Sequence, residues 1–195
     1  MSSGPQAWRD EQDAADRVAR APLDVMAQQL DLITRGGVVK RYHTVQTLQQ
    51  ESVAAHSYLV AWCVTMLSVQ TPRAELLLAA LQHDIAEAVT GDLPAPSKRE
   101  LKIRDQFAAY ESAVLKHYRH CDFDADLTDD ERRVLKLADV CAGILFCVQE
   151  RTMGNRYICE PYRNFREYAT ELAPAIGRER DFLSVLDEQW RNANE

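Results

Sequence analysis

Glycine and proline are scarce, at seven residues each in a chain of 195. That supply is too small for a sandwich or barrel built on many tight turns. Cysteine is also sparse: Cys63, Cys121, Cys141, Cys147 and Cys159 form an odd set with no Cys-x-x-Cys pair. This pattern excludes a disulfide scaffold and a zinc ribbon, and it predicts reduced thiols, several of them buried. Positive charge is in deficit, with a net charge of −7, which disfavours a long nucleic-acid partner held by its phosphates. No run reaches the ~18 apolar residues of a membrane span. The first residues, MSSGPQAWRDEQDAAD, carry no apolar signal region, so the expectation is a soluble, cytoplasmic chain with no membrane partner.

The residues that are abundant are the helix formers Ala, Leu, Gln, Glu and Arg. Residues 1–20 are polar and are expected to be flexible, with a single domain over 21–195. Leu23, Met26, Ala27, Leu30 and Ile33 recur at helical spacing, and Gly36-Gly37 reads as the end of that helix. Residues 38–50 read as an irregular stretch. A helix is predicted over 51–70, and another begins at Thr71-Pro72 and stops before Gly91. Residues 92–96, with two prolines, read as a rigid loop, and Ser97 as the cap of a helix to about Arg119. Thr128 with Glu131 forms a capping box for a helix through about Thr152. Two further helices are expected at about 160–172 and 175–192. No segment alternates with period two, so the fold class is an all-α bundle.

Chemistry enters through polar residues in apolar surroundings. His83 and Asp84 lie inside AELLLAALQHDIAEAV, a segment apolar nearly all round and expected to be central and buried. Burying a carboxylate there costs several kcal/mol unless it is paired or bound to metal. In a continuous helix Glu87 shares a face with His83, one turn along. His56 sits in the preceding apolar helix, and Asp139 in LKLADVCAGILF, the most apolar part of a later one. Taken singly, each reads as an ordinary hydrogen-bonded core residue. Together they supply two imidazoles and two carboxylates, a set suited to Mn, Co, Fe or Zn with coordination positions left open.

The pattern His56, His83-Asp84, Asp139 resembles the HD-domain phosphohydrolases. Arg41-Tyr42, SVAAHSY (52–58), HDIAEAVTGDLPAPSK (83–98) and KLADVCA (136–142) resemble the YfbR-type 5′-deoxynucleotidases and the related phage dATP triphosphohydrolases over roughly residues 23 to 155. Ala55 departs from the Glu these families commonly place before the first His. The resemblance implies a divalent metal (Co, Mn or Zn) on His56, His83, Asp84 and Asp139. It implies that Glu87 handles the attacking water or the leaving 5′-oxygen, and that Arg41 binds phosphate. Tyr42, where the family has Trp, would sit beside the sugar; its plain alternative is a core aromatic. Asp92 would accept from the 3′-hydroxyl, or act as a turn residue. Thr44 and Pro96 would line the base pocket, or be plain loop residues. Lys98 would reach β- or γ-phosphates, while Arg99, Lys102 and Arg104 read as a solvated face. His43, His117 and His120 read as surface or structural histidines.

The expected activity is hydrolysis of the 5′ phosphoester of a 2′-deoxynucleotide, with dATP as the first substrate and deoxynucleoside monophosphates as the alternative. A non-catalytic metal- or nucleotide-binding module is the rival of another class, and the spare carboxylate of Glu87 argues against it. Relatives imply a homo-oligomer.

Overall fold

The computed structural model describes residues 22–118, 123–173 and 178–193. The expected flexible segment 1–20, His120 and Cys121 lie outside the described residues. The architecture is all-α, as the missing period-two pattern predicts. The elements are α1 (22–37), α2 (Val53–Leu67), α3 (Ala74–Gln82), α4 (Glu87–Thr90), α5 (Ala95–Glu100), α6 (Arg104–His117), a 3₁₀ turn (Phe123–Asp126), α7 (Asp129–Thr152), α8 (Cys159–Leu172) and α9 (Arg178–Asn192).

The central element is α7, packed between α2 and α8. Its start is the predicted capping box: the Thr128 side chain accepts from the Glu131 N–H, and Glu131 accepts from the Thr128 N–H. Gly143 lets α8 approach, since a Cβ there would stand 2.9 Å from the Phe165 ring. The α2 core stripe, Val53, His56, Ser57, Val60, Cys63, Val64 and Leu67, follows the 3.6-residue period and faces α7. Cys63, Cys141 and Cys147 are buried and Cys159 is partly buried, matching the expectation that several of the cysteines are buried.

Several boundaries depart from the sequence pattern. Helix α2 is shorter at both ends than 51–70: the Ser52 side chain caps its start by accepting from the Ala55 N–H, and the backbone turns extended at Ser68. Helix α3 starts at Ala74, past Pro72, where Arg73 turns away to a two-pronged ion pair with Glu131. Pro96 is inside α5, in its first turn, where a missing N–H costs nothing. The single helix expected after Ser97 is two. Lys102 adopts a left-handed backbone (φ 53°), the Ile103 N–H donates to Lys98 O and the Lys102 N–H to Arg99 O, closing α5 in a Schellman motif. A lysine in the position usually taken by glycine left no visible stop signal.

Two departures concern which face is buried. The α3 segment is not buried all round: it packs toward α2, α7 and the 3₁₀ turn, and Leu78 and Leu81 are exposed. In α1 the periodic residues Leu23, Met26, Leu30 and Ile33 face solvent, while Leu32 and Gly36 face inward. The helix ends at Gly37, as the Gly36-Gly37 pair predicts, and Gly36 has a second role. It is a contact point, since a Cβ there would lie 2.6 Å from the carbonyl oxygen of Ile85. Only glycine allows α1 to lie against the turn that carries His83 and Asp84. Gly36→Ala is therefore expected to lose about 1–3 kcal/mol of stability through overpacking against backbone, and to weaken metal binding. Thermal unfolding with and without added Zn²⁺ or Mn²⁺ measures both effects; an unchanged melting temperature would remove the contact from the argument.

Candidate active site

The site forms where α2, the end of α3 and the middle of α7 meet, roofed by the 39–51 segment. Local pairing places that roof. The Arg41 N–H donates to Glu51 O at 3.0 Å and the Val53 N–H to Val39 O at 2.9 Å, around a short antiparallel bridge between Lys40 and Ser52. Arg41 is thereby clipped beside the start of α2.

The α-helix stops at Gln82, and His83–Ala86 is a tight turn. Its bonds run three residues back: Ile85 N–H to Gln82 O, Glu87 N–H to Asp84 O and Ala88 N–H to Ile85 O. The expectation that Glu87 sits one α-helical turn from His83 is corrected accordingly; Glu87 opens α4 after the turn. The tightened turn directs His83 and Asp84 toward the residues of α2 and α7. His83 is oriented by its Nδ1, 2.8 Å from Ala80 O, which leaves Nε2 for the interior of the site.

The imidazoles and carboxylates expected as ligands converge. Asp84 Oδ2 is 3.3 Å from His83 Nε2 and 3.8 Å from His56 Nε2. Asp139 Oδ1 is 3.0 Å from His56 Nε2 and 3.9 Å from His83 Nε2. Ligand atoms of His56, His83 and Asp84 all fall within 4.8 Å of one another, a spacing that one cation can bridge. Asp139 stands at the rim of that triangle, its second oxygen held by Lys136 Nζ at 2.7 Å. His83 Nε2 is buried without a hydrogen-bond partner, as is His56 Nδ1. A buried imidazole nitrogen facing two carboxylates, with no donor or acceptor taken up, fits a divalent metal better than a structural pair.

The charges control one another. Burial opposes ionisation of both aspartates, yet His83 and Arg41 hold Asp84 below its usual range, and Lys136 and His56 do the same for Asp139. Burial opposes the protonated form of His83, but Asp84 outweighs it and raises His83 to about 9. Burial and the Arg41 charge keep His56 below its ordinary value. Glu87 is pushed the other way, to about 9, by burial and by the charges of Asp84 and Asp92. Its Oε2 is buried and unpartnered.

Arg41 lies within the cluster: Nη1 donates to Asp84 and Nε to Glu51 at 3.1 Å. Tyr42 diverges from it, stacking on Phe146 at 4.4 Å and meeting Phe165 edge-on, with its hydroxyl buried and unpartnered. Its plain alternative as a core aromatic thus has direct support. Asp92 lies 3.7 Å from exposed His43. Lys98 sits over the Phe107 ring at 4.1 Å and 3.7 Å from Glu111, and its charge acts on Glu87. Thr44 and Pro96 are exposed, and no contact draws either into the cluster. Arg99, Lys102 and Arg104 are solvated as expected.

Three residues of the site carried no role in the sequence. Glu51 is 5% exposed, bonds Arg41 and lies 3.8 Å from His56 Nδ1; burial lifts it to about 7. Lys136 neutralises Asp139, and Glu111 pairs with Lys98. Lys136 had a signal in its i, i+3 spacing to Asp139; Glu51 and Glu111 had none beyond their type.

Glu87 gives a pH dependence with a definite sign. Its value rises from an ordinary 4.5 to about 9 on folding. The native state therefore holds the extra proton between those limits, and its contribution to stability is lost as pH rises through that window. Glu87→Gln mimics the protonated acid. In chelator-treated protein it is expected to melt level with wild type near pH 5 and above it near pH 9, roughly as far as one buried charge allows. Parallel melting curves of the two proteins across that range would show Glu87 to be ionised throughout.

The sequence matches the 5′-deoxynucleotidase YfbR-like family over residues 28–180. The 5′-deoxynucleotidases of Yersinia pestis (strain Pestoides F) and Yersinia pseudotuberculosis (serotype O:1b) are each 26% identical over 144 residues, covering 63% of this chain and 73% of theirs. Among solved structures, the fold is similar to the cyanophage S-2L HD phosphohydrolase (DatZ) bound to dA and one catalytic Zn²⁺, with a TM-score of 0.64 and 20% identity over 83% of this chain and 95% of that one. It is also similar to an HD-domain phosphohydrolase of Listeria innocua, with a TM-score of 0.59 and 19% identity over 87% and 92% of the two chains. With the family model matched across most of its length, the chain belongs to the YfbR-like 5′-deoxynucleotidases, on a fold similar to that of HD-domain phosphohydrolases.

Proposed function

We propose that the protein cleaves the 5′ phosphoester of 2′-deoxynucleotides at a divalent metal held by His56, His83, Asp84 and Asp139. The observation that carries this reading is the buried, unpartnered Nε2 of His83, facing the carboxylates of Asp84 and Asp139. The phage structure, with its catalytic Zn²⁺, supports the same class of ion. When bound, the ion supplies Lewis-acid polarisation of the phosphoryl group and acidifies the attacking water. Arg41, fixed by Glu51, presents guanidinium to the transferring phosphate. Glu87, buried beside the cluster with an unpartnered Oε2, is the group assigned to pass a proton to the leaving 5′-oxygen. Tyr42 forms the floor under Arg41, and its role in rejecting a 2′-hydroxyl is part of the proposal.

The deoxynucleoside monophosphate takes first place over dATP, the substrate favoured by the sequence pattern. The matched relatives are 5′-deoxynucleotidases. Moreover, the cations around the site are already matched by carboxylates: Arg41 by Asp84 and Glu51, Lys136 by Asp139, Lys98 by Glu111. A triphosphate tail would meet little uncompensated positive charge. Triphosphate hydrolysis is the second reading, supported by the structural likeness to the phage enzyme. Product analysis with dAMP and dATP in parallel, with Zn²⁺, Mn²⁺ or Co²⁺ added, separates them. Glu87→Ala is expected to keep metal and nucleotide binding while kcat drops ~10²–10⁴-fold. Preference for AMP over both deoxynucleotides would overturn the substrate class.

The same reading includes a second copy of the chain as partner. Helix α1 exposes Leu23, Met26, Leu30 and Ile33, and α2 exposes Tyr58, Trp62 and Met66 at successive turns beside Leu77 and Leu81. Contiguous apolar stripes of this kind mark association surfaces. Sedimentation of wild type should show an oligomer that Leu30→Glu or Trp62→Glu shifts toward monomer. A wild-type monomer at micromolar concentration would remove the partner.

A further inference from the structure

The roof segment that carries Arg41 and Tyr42 is tied to α7 a second time, far from Asp139. Glu150 is fully buried in the last turns of α7 and makes no contact with the metal-site residues. Its carboxylate accepts three hydrogen bonds: from the Leu48 N–H at 2.7 Å, the Gln49 N–H at 2.7 Å and Asn155 Nδ2 at 2.6 Å. Asn155, itself 5% exposed, also donates from Nδ2 to Gln46 O at 2.9 Å, and its own N–H returns to Glu150 O. Gln49 reaches on to Met153 Sδ. The segment 46–49 is thus bonded to one end of α7 through both of its polarities. Buried backbone N–H groups that bond a carboxylate are held more strongly than those in ordinary loops.

Glu150 is eleven residues beyond Asp139, about 16 Å along the same helix. One rigid element therefore carries both an aspartate of the metal cluster and the anchor of the phosphate-facing segment. Between the two fixed points the chain adopts an uncommon backbone. Tyr42 has φ 57°, in the left-handed region that a bulky residue rarely enters unless its surroundings hold it there. The Val45 N–H donates to Tyr42 O and Gln50 Nε2 to Arg41 O, linking the anchored stretch to the two residues in question.

We propose that Glu150 and Asn155 are positioning residues: a buried latch on α7 that sets the placement of Arg41 and Tyr42 over the metal cluster, and through them the affinity and sugar selectivity for the nucleotide. This rests on the nucleotide-hydrolysing reading for its kinetic consequences and on geometry alone for the latch itself. Glu150→Gln keeps the shape but turns one acceptor into a donor facing donors. Asn155→Ser is milder, removing the amide's bonds to Gln46 O and to the Glu150 carboxylate while leaving the Leu48 and Gln49 N–H bonds to Glu150.

The test is amide hydrogen exchange of the full-length, metal-loaded protein, with kinetics alongside. In both variants exchange should quicken on the order of tenfold at 46–49 and also at 41–45, the part that does not touch the latch. Zn²⁺ stoichiometry should stay at the wild-type value. The KM for the deoxynucleotide should rise about tenfold with a smaller change in kcat, and the deoxy-to-ribo ratio of kcat/KM should fall. If exchange quickens only at 46–49, or a lower melting temperature comes with unchanged KM and selectivity, the residues are merely structural and the latch is overturned. Should Glu150→Gln fail to fold, Asn155→Ser decides by the same readouts. A wild-type protein inactive on every deoxynucleotide would defeat the proposed reaction, while the exchange pattern at 41–45 would still decide the latch.

Discussion

Glu51, Asp84, Glu87 and Asp139 are gathered in one largely buried region, and the rest of the structure is arranged so that these charges can be there. Unpaired, each would cost several kcal/mol of desolvation. Arg41 answers Asp84 and Glu51, Lys136 answers Asp139, and the His83 imidazole faces Asp84 at 3.3 Å. Glu87 is left over, and it responds by keeping its proton. Its raised value follows from burial and from the neighbouring charges of Asp84 and Asp92.

That electrostatic arrangement depends on backbone geometry at three points. The turn His83–Ala86 replaces α-helical bonds with shorter ones and swings Asp84 toward α2 and α7. Gly36 permits α1 to press on that turn from outside. The pairing of Arg41 with Glu51, through both backbone and side chains, clips the guanidinium to the first residues before α2. Each is a local departure from regular helix, and departures of this kind cluster where function needs an unusual placement. Helix α7 is the common reference for all three. It is capped at its start by Thr128 and Glu131, carries Lys136 and Asp139 on its site-facing turns, and holds in its last turn Glu150, which bonds Leu48 and Gln49.

How much of this was legible beforehand follows from range. The all-α class, the capping box at Thr128, the end of α7 at Thr152 and the stop before Gly91 depend on neighbours within a few residues, and the sequence displays such neighbours. The residues His56, His83, Asp84, Asp139 and Glu87 were visible as polar groups in apolar surroundings, since burial without a partner is improbable on energetic grounds. Boundaries marked by unusual residues were not visible. Lys102 closes α5 in a conformation normally given to glycine, and α1 buries the side opposite its periodic leucines.

By itself, then, the sequence determined which side chains are chemically out of place in a helical core, and its longer motifs carried the resemblance to the family. Tertiary structure alone decided which of them meet. Thr44 and Pro96 ended in solvent, Tyr42 on the Phe146 ring, and Glu51 and Lys136 beside the histidines and aspartates. The reason is physical. Hydrophobic periodicity and capping are encoded within one or two helical turns. The pairing of Arg41 with Asp84, or of Glu150 with Leu48 and Gln49, joins residues 43 and about a hundred positions apart. Such contacts exist only once α2, α3 and α7 have packed and excluded water from the space between them.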